Sequence, residues 1–350
     1  MEIIPGLPNE ISRECFLRVP WTSHYKLISV CKTWGNIVRS PLFYKNRKKC
    51  GASQELIILK VRVGIRFPII IYDPLKRSFQ TLPPLPFGFQ YIKFAHCVSV
   101  NHKLVVMGFL DKQQLAYKLI FVYDFCSGTW KRGADLPDSR CLFGCSVDSA
   151  KELIYIAGGC DKNDEILFTA AVYNVEEDMW EYLPPLIWGD NACHSAFVDN
   201  KLYVMKRHIN GGSVQCYDPN TRIWRDMSNV NAFANHNFRF GFMHPPLPAF
   251  GRLLCFCGGN VIEFDYVEHQ FHLVGTHCPR FLTVEGMTMW RGQIVICGRI
   301  TGGDIAFYLF EPLRVGEHGQ VGKEESWTLF SVWNSIEIGD LANCCGTWTL

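Results

Sequence analysis

From Gln54 onward the chain alternates short apolar runs with polar turns. Runs such as Ile69–Tyr72, Leu104–Met107, Leu153–Ala157 and Leu202–Met205 are rich in Val, Ile, Leu and aromatic side chains. Segments of that length and make-up, closed off by turn residues, predict strands rather than helices. One pattern recurs along them. An aromatic residue precedes Asp or Asn, and a second aromatic follows seven residues after the first: Tyr72/Phe79, Tyr123/Trp130, Tyr173/Trp180, Tyr217/Trp224 and Phe264/Phe271, with Asp73, Asp124, Asn174, Asp218 and Asp265 behind the leading aromatic. The leading aromatics are spaced by 51, 50, 44 and 47 residues, and a degenerate sixth copy falls at Phe310–Glu311. A period of that size with a fixed internal spacing is the signature of an array of supersecondary units.

Each copy divides into short strands. The second reads Cys97–Val100, Leu104–Gly108, Leu119–Tyr123 and Thr129–Arg132; the third, Phe143–Val147, Leu153–Gly159, Ala170–Tyr173 and Met179–Tyr182. The fourth reads Ser195–Val198, Leu202–Met205, Val214–Tyr217 and Ile223–Arg225; the fifth, Phe238–Met243, Arg252–Gly258, Val261–Asp265 and Gln270–Leu273. The sixth reads Gly286–Trp290, Gln293–Gly298, Ala306–Phe310 and Trp327–Phe330, with an insertion around Gly316–Glu325. Four antiparallel strands per repeat make a propeller blade. The first copy has only three: Leu56–Lys60, Ile69–Tyr72 and Phe79–Leu82. An apolar tail, Cys344–Leu350, is left over, and is expected to supply the missing innermost strand and close a ring of six blades.

The first fifty residues follow a different period. Leu7–Pro8–Asn9–Glu10 predicts a helix start with Asn9 as N-cap, apolar Ile11, Cys15, Phe16 and Val19 share one helical face, and Pro20 stops the helix. A second helix is expected through Tyr25, Leu27, Ile28, Val30, Cys31, Trp34, Ile37 and Val38, ended by Pro41. The basic run Lys45–Lys49 reads as a solvated linker. So small a unit with so many apolar positions is expected to bury part of them against a partner. The expected organisation is an all-α unit over 1–50 and an all-β propeller over 51–350.

Composition narrows the function classes. The chain has 350 residues, 48% of them hydrophobic and 19% charged, with a formal net charge of +2. That describes a folded chain, and argues against broad nucleic-acid or membrane-surface binding. No apolar run approaches the length of a membrane span, and Glu2 and Pro5 interrupt the early apolar residues, so no signal sequence is expected. The 16 cysteines sit mostly inside apolar runs at irregular spacing and read as free, buried thiols of a reducing compartment, cytoplasmic and/or nuclear. Cys255/Cys257 and Cys344/Cys345 lack zinc-site partners, and Gly211–Gly212 and Gly302–Gly303 lack the Lys-Ser/Thr of a phosphate loop. The neighbours His96–Cys97, Cys193–His194 and His277–Cys278 stand at strand starts and read as core. No cofactor, metal or catalytic residue is expected.

Two resemblances sharpen this. Gly158–Gly159, then Tyr173–Asn174, then Trp180 resembles the kelch repeat; the fourth copy departs from it, with Lys206–Arg207 in place of the glycine pair. The opening Leu7–Pro8, the helix ending Arg18–Val19–Pro20, Val30–Cys31–Lys32–Thr33–Trp34 and Ser40–Pro41–Leu42–Phe43 resemble an F-box over residues 5–47, with Val19 where Leu is usual. Together they resemble the plant F-box/kelch-repeat proteins. That resemblance implies the non-catalytic, substrate-recognition subunit of a Skp–cullin–F-box ubiquitin ligase. Leu7, Pro8, Ile11, Leu17, Leu27, Val30 and Trp34 would dock a Skp-type adaptor. The propeller would hold a target protein for ubiquitination. Some plant members act on phenylalanine ammonia-lyase and so limit phenylpropanoid flux, which extends the expectation to that enzyme.

The linker enters blade one at its second strand. The target is therefore expected on the opposite face, made by loops after second and fourth strands. Arg66, Phe87, Phe89, Tyr91, Trp188, Arg207, His208 and Phe233 are the candidate anchors there. A kelch scaffold or carbohydrate-binding module without ligase function, and a galactose-oxidase-like enzyme, stay open as alternatives at this point.

Overall fold

The computed structural model describes residues 2–63, 67–86, 95–110, 117–206, 213–227, 245–249, 252–257, 260–265, 270–275, 281–302, 304–311, 314–315, 321–322, 326–333 and 340–349. Four α-helices come first: α1 (Asn9–Arg18), α2 (His24–Val30), α3 (Lys32–Val38) and α4 (Pro41–Lys49). Six four-stranded antiparallel sheets follow.

The helical region differs from the sequence reading in three ways. Pro8, not Asn9, is the N-cap of α1, and the Asn9 Oδ1 instead accepts from the backbone N–H of Ile3 at 2.9 Å. The expected second helix is two helices, broken where Cys31 is extended (φ −160°, ψ 166°). The break turns α3 so that Trp34 packs edge-on to Phe16, 4.6 Å between centroids, and donates from Nε1 to Ile3 O at 2.7 Å. The run expected to be a linker is helix α4, with Pro41 in its first turn, where a missing N–H costs nothing. Lys45, Lys48 and Lys49 are exposed, but Arg47 is buried. Its guanidinium donates to the carbonyls of Leu17, Val19 and Ala52, tying α1 and the linker to α4.

Blade one is closed by the far end of the chain. Asp340–Thr349 pairs antiparallel with Glu55–Arg62 from Glu55↔Thr349 to Arg62↔Asp340, and Ile69–Asp73 and Ser78–Thr81 complete the sheet. The closing strand is thus the expected one, four residues longer at its start. Blades two to four match the expected strands within a residue or two. Blade five begins with Leu247–Ala249. The segment Phe238–Met243, expected to be that strand, lies outside the described residues, as does the glycine pair Gly258–Gly259. In blade six the strands are longer than expected, Phe281–Trp290 and Ser326–Trp333 among them, and a hairpin of Arg314–Val315 with Val321–Gly322 lies in the insertion. The first strands of successive blades touch in a closed cycle, so the ring has no open edge there.

The repeating aromatics hold neighbouring blades together. Each pair is a cross-strand neighbour: Tyr72↔Phe79, Tyr123↔Trp130, Tyr173↔Trp180, Tyr217↔Trp224 and Phe264↔Phe271, with Phe310↔Trp327 in the degenerate copy. The indole then reaches the preceding blade. Trp130 Nε1 donates to Pro83 O at 2.8 Å, Trp180 Nε1 to Ala134 O at 3.0 Å and Trp224 Nε1 to Pro184 O at 2.8 Å. Gly159 (φ 82°) sits where a Cβ would lie 2.3 Å from the carbonyl oxygen of Cys141, so only glycine lets the two loops meet.

The helices pack on one end of the ring. Trp21 stands edge-on to Phe125 with centroids 5.9 Å apart, and Tyr44 Oη lies 3.5 Å from Phe125 O. Gln54 accepts from the Trp21 backbone at 2.7 Å and donates to Asp73 at 3.3 Å, and Lys76 Nζ reaches Thr22 Oγ1 at 3.4 Å. Phe125 and Lys76 lie in the turns after the third strands of blades two and one. In an antiparallel blade that end also carries the first turn. In blade three the loops after the second and fourth strands, residues 158–169 and 183–192, lie at the opposite end, away from the helices.

Candidate functional site

Two surfaces stand out among the described residues. On the helical unit, Leu7, Ile11 and Val30 are 36%, 49% and 59% exposed, and Pro8, Tyr25 and Leu42 are exposed with them. Large apolar side chains left open at this density on a 40-residue scale mark an interaction site. Leu17, Leu27 and Trp34 are placed differently. Leu17 is buried, Leu27 and Trp34 are half-buried, and all three pack into the cluster that joins helices to blades one and two. They frame the exposed set from behind.

The reasoning from sequence missed the polar centre of this unit. His24 is buried between Tyr44 and Phe43. Its Nε2 donates to Val19 O at 3.0 Å, which leaves Nδ1 to accept from Tyr44 Oη at 3.3 Å. Burial, then the Arg47 guanidinium, push the imidazole down to about 4, so it is neutral near pH 7. Only the aromatic neighbours in the sequence hinted at this: a His one turn from Trp21 and an Arg beyond Phe43–Tyr44.

At the opposite end of the ring, Trp188 is the one candidate anchor among the described residues; Arg66, Phe87, Phe89, Tyr91, Arg207, His208 and Phe233 lie outside them. Trp188 is half-buried, with Lys206 Nζ 5.0 Å above its ring and its own Nε1 buried without a partner. Gln215, buried on the third strand of blade four, holds the loop: its Oε1 accepts from Ile187 N at 3.0 Å and its Nε2 donates to Trp188 O at 2.9 Å. Arg140, also buried, binds the preceding interblade loop to blade three through Asp138 at 2.7 Å and Thr169 Oγ1 at 2.7 Å. Neither clamp was legible, because Gln215 reaches a loop 27 residues away and Arg140 reaches Thr169 29 residues away.

The chemistry of the cysteines fits packing. Cys97 and Cys193 are buried, and burial pushes the Cys193 thiol up to about 11 and those of Cys141 and Cys145 up to about 12. A thiol that stays protonated is a poor nucleophile. His277–Cys278 lies outside the described residues. His102, Asp124 and Cys126 bring their ligand atoms within 4.8 Å of one another, the one such group among the described residues. Asp124 Oδ1 is already engaged there by the backbone N–H groups of Cys126 and Ser127, at 2.7 and 3.2 Å. Asp73, Asn174 and Asp218 cap the equivalent turns in their own blades, so Asp124 has a turn-forming role that needs no ion.

Comparison with known proteins now bears on both surfaces. Residues 4–46 match the F-box domain and residues 141–187 the kelch motif. An F-box match thus precedes a kelch match, and the chain is similar to F-box/kelch-repeat proteins. It is 32% identical over 219 residues to the F-box/kelch-repeat protein At1g80440 of Arabidopsis thaliana, an alignment covering 59% of this chain and 62% of that one. It is 31% identical to At1g15670, covering 59% and 62%, and 28% identical to SKIP20, covering 66% and 68%, both F-box/kelch-repeat proteins of the same plant. The chain thus spans less than two thirds of the length of the first two relatives. The solved structure of YjhT superposes with a TM-score of 0.53 at 12% identity, covering 69% of this chain and 88% of that one, which is a likeness of fold. The exposed Leu7, Pro8, Ile11 and Val30 belong to the F-box. The loops around Trp188 adjoin the kelch motif that ends at Ile187.

Proposed function

We propose that this F-box/kelch protein is the substrate receptor of a Skp–cullin–F-box ubiquitin ligase, a non-catalytic subunit. The observation that carries the reading is the division of labour across the ring. An open apolar face lies on the F-box, and the F-box packs on one end of a propeller whose described loops after the second and fourth strands of blade three lie at the other end. Leu7, Pro8, Ile11 and Val30 dock the Skp-type adaptor directly, and Leu17, Leu27 and Trp34 hold the helices in register behind them. A fixed spacing between the adaptor face and the target face keeps the bound protein in reach of the ligase. The work is then done in the cytoplasm, the nucleus or both, without nucleic acid or membrane as partner.

The test is capture of a Skp-type adaptor by the full chain. Leu7→Ala with Pro8→Ala should abolish capture, since buried apolar anchors of a small interface contribute on the order of 2 kcal/mol each. Undiminished capture by the double variant, folded by circular dichroism, would sink the assignment. On the far face, alanine clusters should abolish target capture and spare the adaptor, whereas a cluster at Asn200, Lys201, Asn220 and Arg222 should spare both. Phenylalanine ammonia-lyase is the narrower target proposal. It rests on the resemblance to plant members alone, and co-capture after proteasome inhibition, compared with a chain lacking residues 1–50, decides it.

A further inference from the structure

Three exposed apolar side chains gather around Gly189 at the end of the ring away from the helices. The loop after the second strand of blade three and the loop leading into blade four run together there, with Leu186 N donating to Phe168 O at 2.9 Å. A Cβ on Gly189 would lie 2.6 Å from Ile166 Cγ2 and 3.3 Å from Phe168 Cδ2, so the glycine lets both side chains lie across the second loop. Ile166, Phe168 and Ile187 are 48%, 50% and 49% exposed. The backbone beneath them is fixed from both sides. Gln215 grips Ile187 and Trp188, and Leu167 N donates to Gly159 O at 2.9 Å while Cys160 bridges to Ile166. Apolar side chains held open on a rigid frame form a docking point, because a partner gains their burial without ordering the loops.

The charge on the two loops is predominantly negative. Asp164 and Glu165 are exposed immediately before Ile166, and Asp161 and Asp190 are half-buried on the two loops. Within the two loops Lys162 is the one cation against these four carboxylates; Lys206, on the next blade, is engaged over the Trp188 ring at 5.0 Å, and Arg140 is buried beneath Thr169, paired with Asp138. We propose that this patch binds a segment of the target protein in which large apolar residues are flanked by Lys or Arg. The biological meaning rests on the substrate-receptor reading; the binding chemistry does not. Apolar contact supplies the affinity, and the acidic rim selects the sign of the flanks and speeds encounter.

A random peptide library panned against the full-length chain tests it. The enriched peptides should combine large apolar residues with a net positive charge. A representative peptide should bind at least roughly tenfold more weakly to I166S/F168S and to D164K/E165K, and should weaken as salt rises. Both variant pairs alter exposed side chains, and an unchanged thermal midpoint with intact adaptor capture shows that they fold. Enriched peptides without cations, no enrichment, or binding indifferent to both pairs would overturn the proposal. So would self-association of the chain that the same variants abolish, which would make the patch a contact between copies. Loss of adaptor capture by the parent chain, with peptide binding intact, would remove the receptor reading and leave this one standing.

Discussion

Two single residues show how the fold uses polar groups inside apolar surroundings. His24 is neutral because burial and Arg47 both disfavour its charged form. Its folded pKa of about 4 lies below the ordinary 6.5, so between those values the unfolded chain binds the extra proton. Stability should therefore be full above pH 6.5 and fall as the pH drops toward 4, by about 3 kcal/mol from this group alone. Thermal midpoints of the full chain across that window measure it. His24→Gln, which cannot titrate, should flatten the slope; an equal slope would assign the effect to other groups. Trp224 gives a second case. It is buried with its Nε1 on Pro184 O at 2.8 Å, so Trp224→Phe should cost about 1 kcal/mol through the lost hydrogen bond and the carbonyl left without it. Urea unfolding with an unchanged slope and a lower midpoint is the expected result.

At the scale of elements, the closing strand Asp340–Thr349 decides whether the ring is a ring. It pairs along the whole of Glu55–Arg62 and touches the first strands of blades two and six. Truncation before Asp340 should leave Glu55–Arg62 as an open inner edge and promote edge-to-edge association. The expected outcome is a large drop in thermal midpoint with visible aggregation by light scattering; an unchanged midpoint would mean the ring holds without its closure. The helical elements behave differently. Their boundaries depend on what they pack against: α3 is turned by the contact of Trp34 with Phe16 and Ile3, and α4 is held by the three carbonyls that Arg47 reaches.

At the scale of the whole molecule, F-box and propeller share one apolar cluster, in which Trp21, Phe43 and Tyr44 meet Phe125 and Cys126 of blade two. The two units are expected to unfold together. Deleting residues 1–50 should expose that cluster and lower the midpoint of the propeller, and Phe125→Ser in the full chain should do so while also loosening the F-box. Limited proteolysis between Lys49 and Glu55, faster in Phe125→Ser than in the parent, checks the coupling. Equal cleavage rates would show two independent units.

The repeat, its four-strand content, the closure by the tail and the two parts of the chain were all legible in the amino-acid order. Those features are local: an aromatic spacing of seven, a glycine pair and a strand-length apolar run are each written in adjacent residues. The same holds for the F-box signatures and for its exposed Leu7, Pro8, Ile11 and Val30. Where side chains go when their partners are far away in sequence depends on how the chain folds back on itself. Leu17, Leu27 and Trp34 read as one docking set with Leu7, yet they are drawn inward because a small helical unit shares its core with blades one and two. Arg47 read as part of a solvated basic run, yet it is buried because three carbonyls from α1 and the linker converge on it. The patch around Gly189 joins residues 166, 168 and 187, and no periodicity links them. It exists because antiparallel strands return the loops of one blade to the same end, where Gln215 from the next blade fixes them.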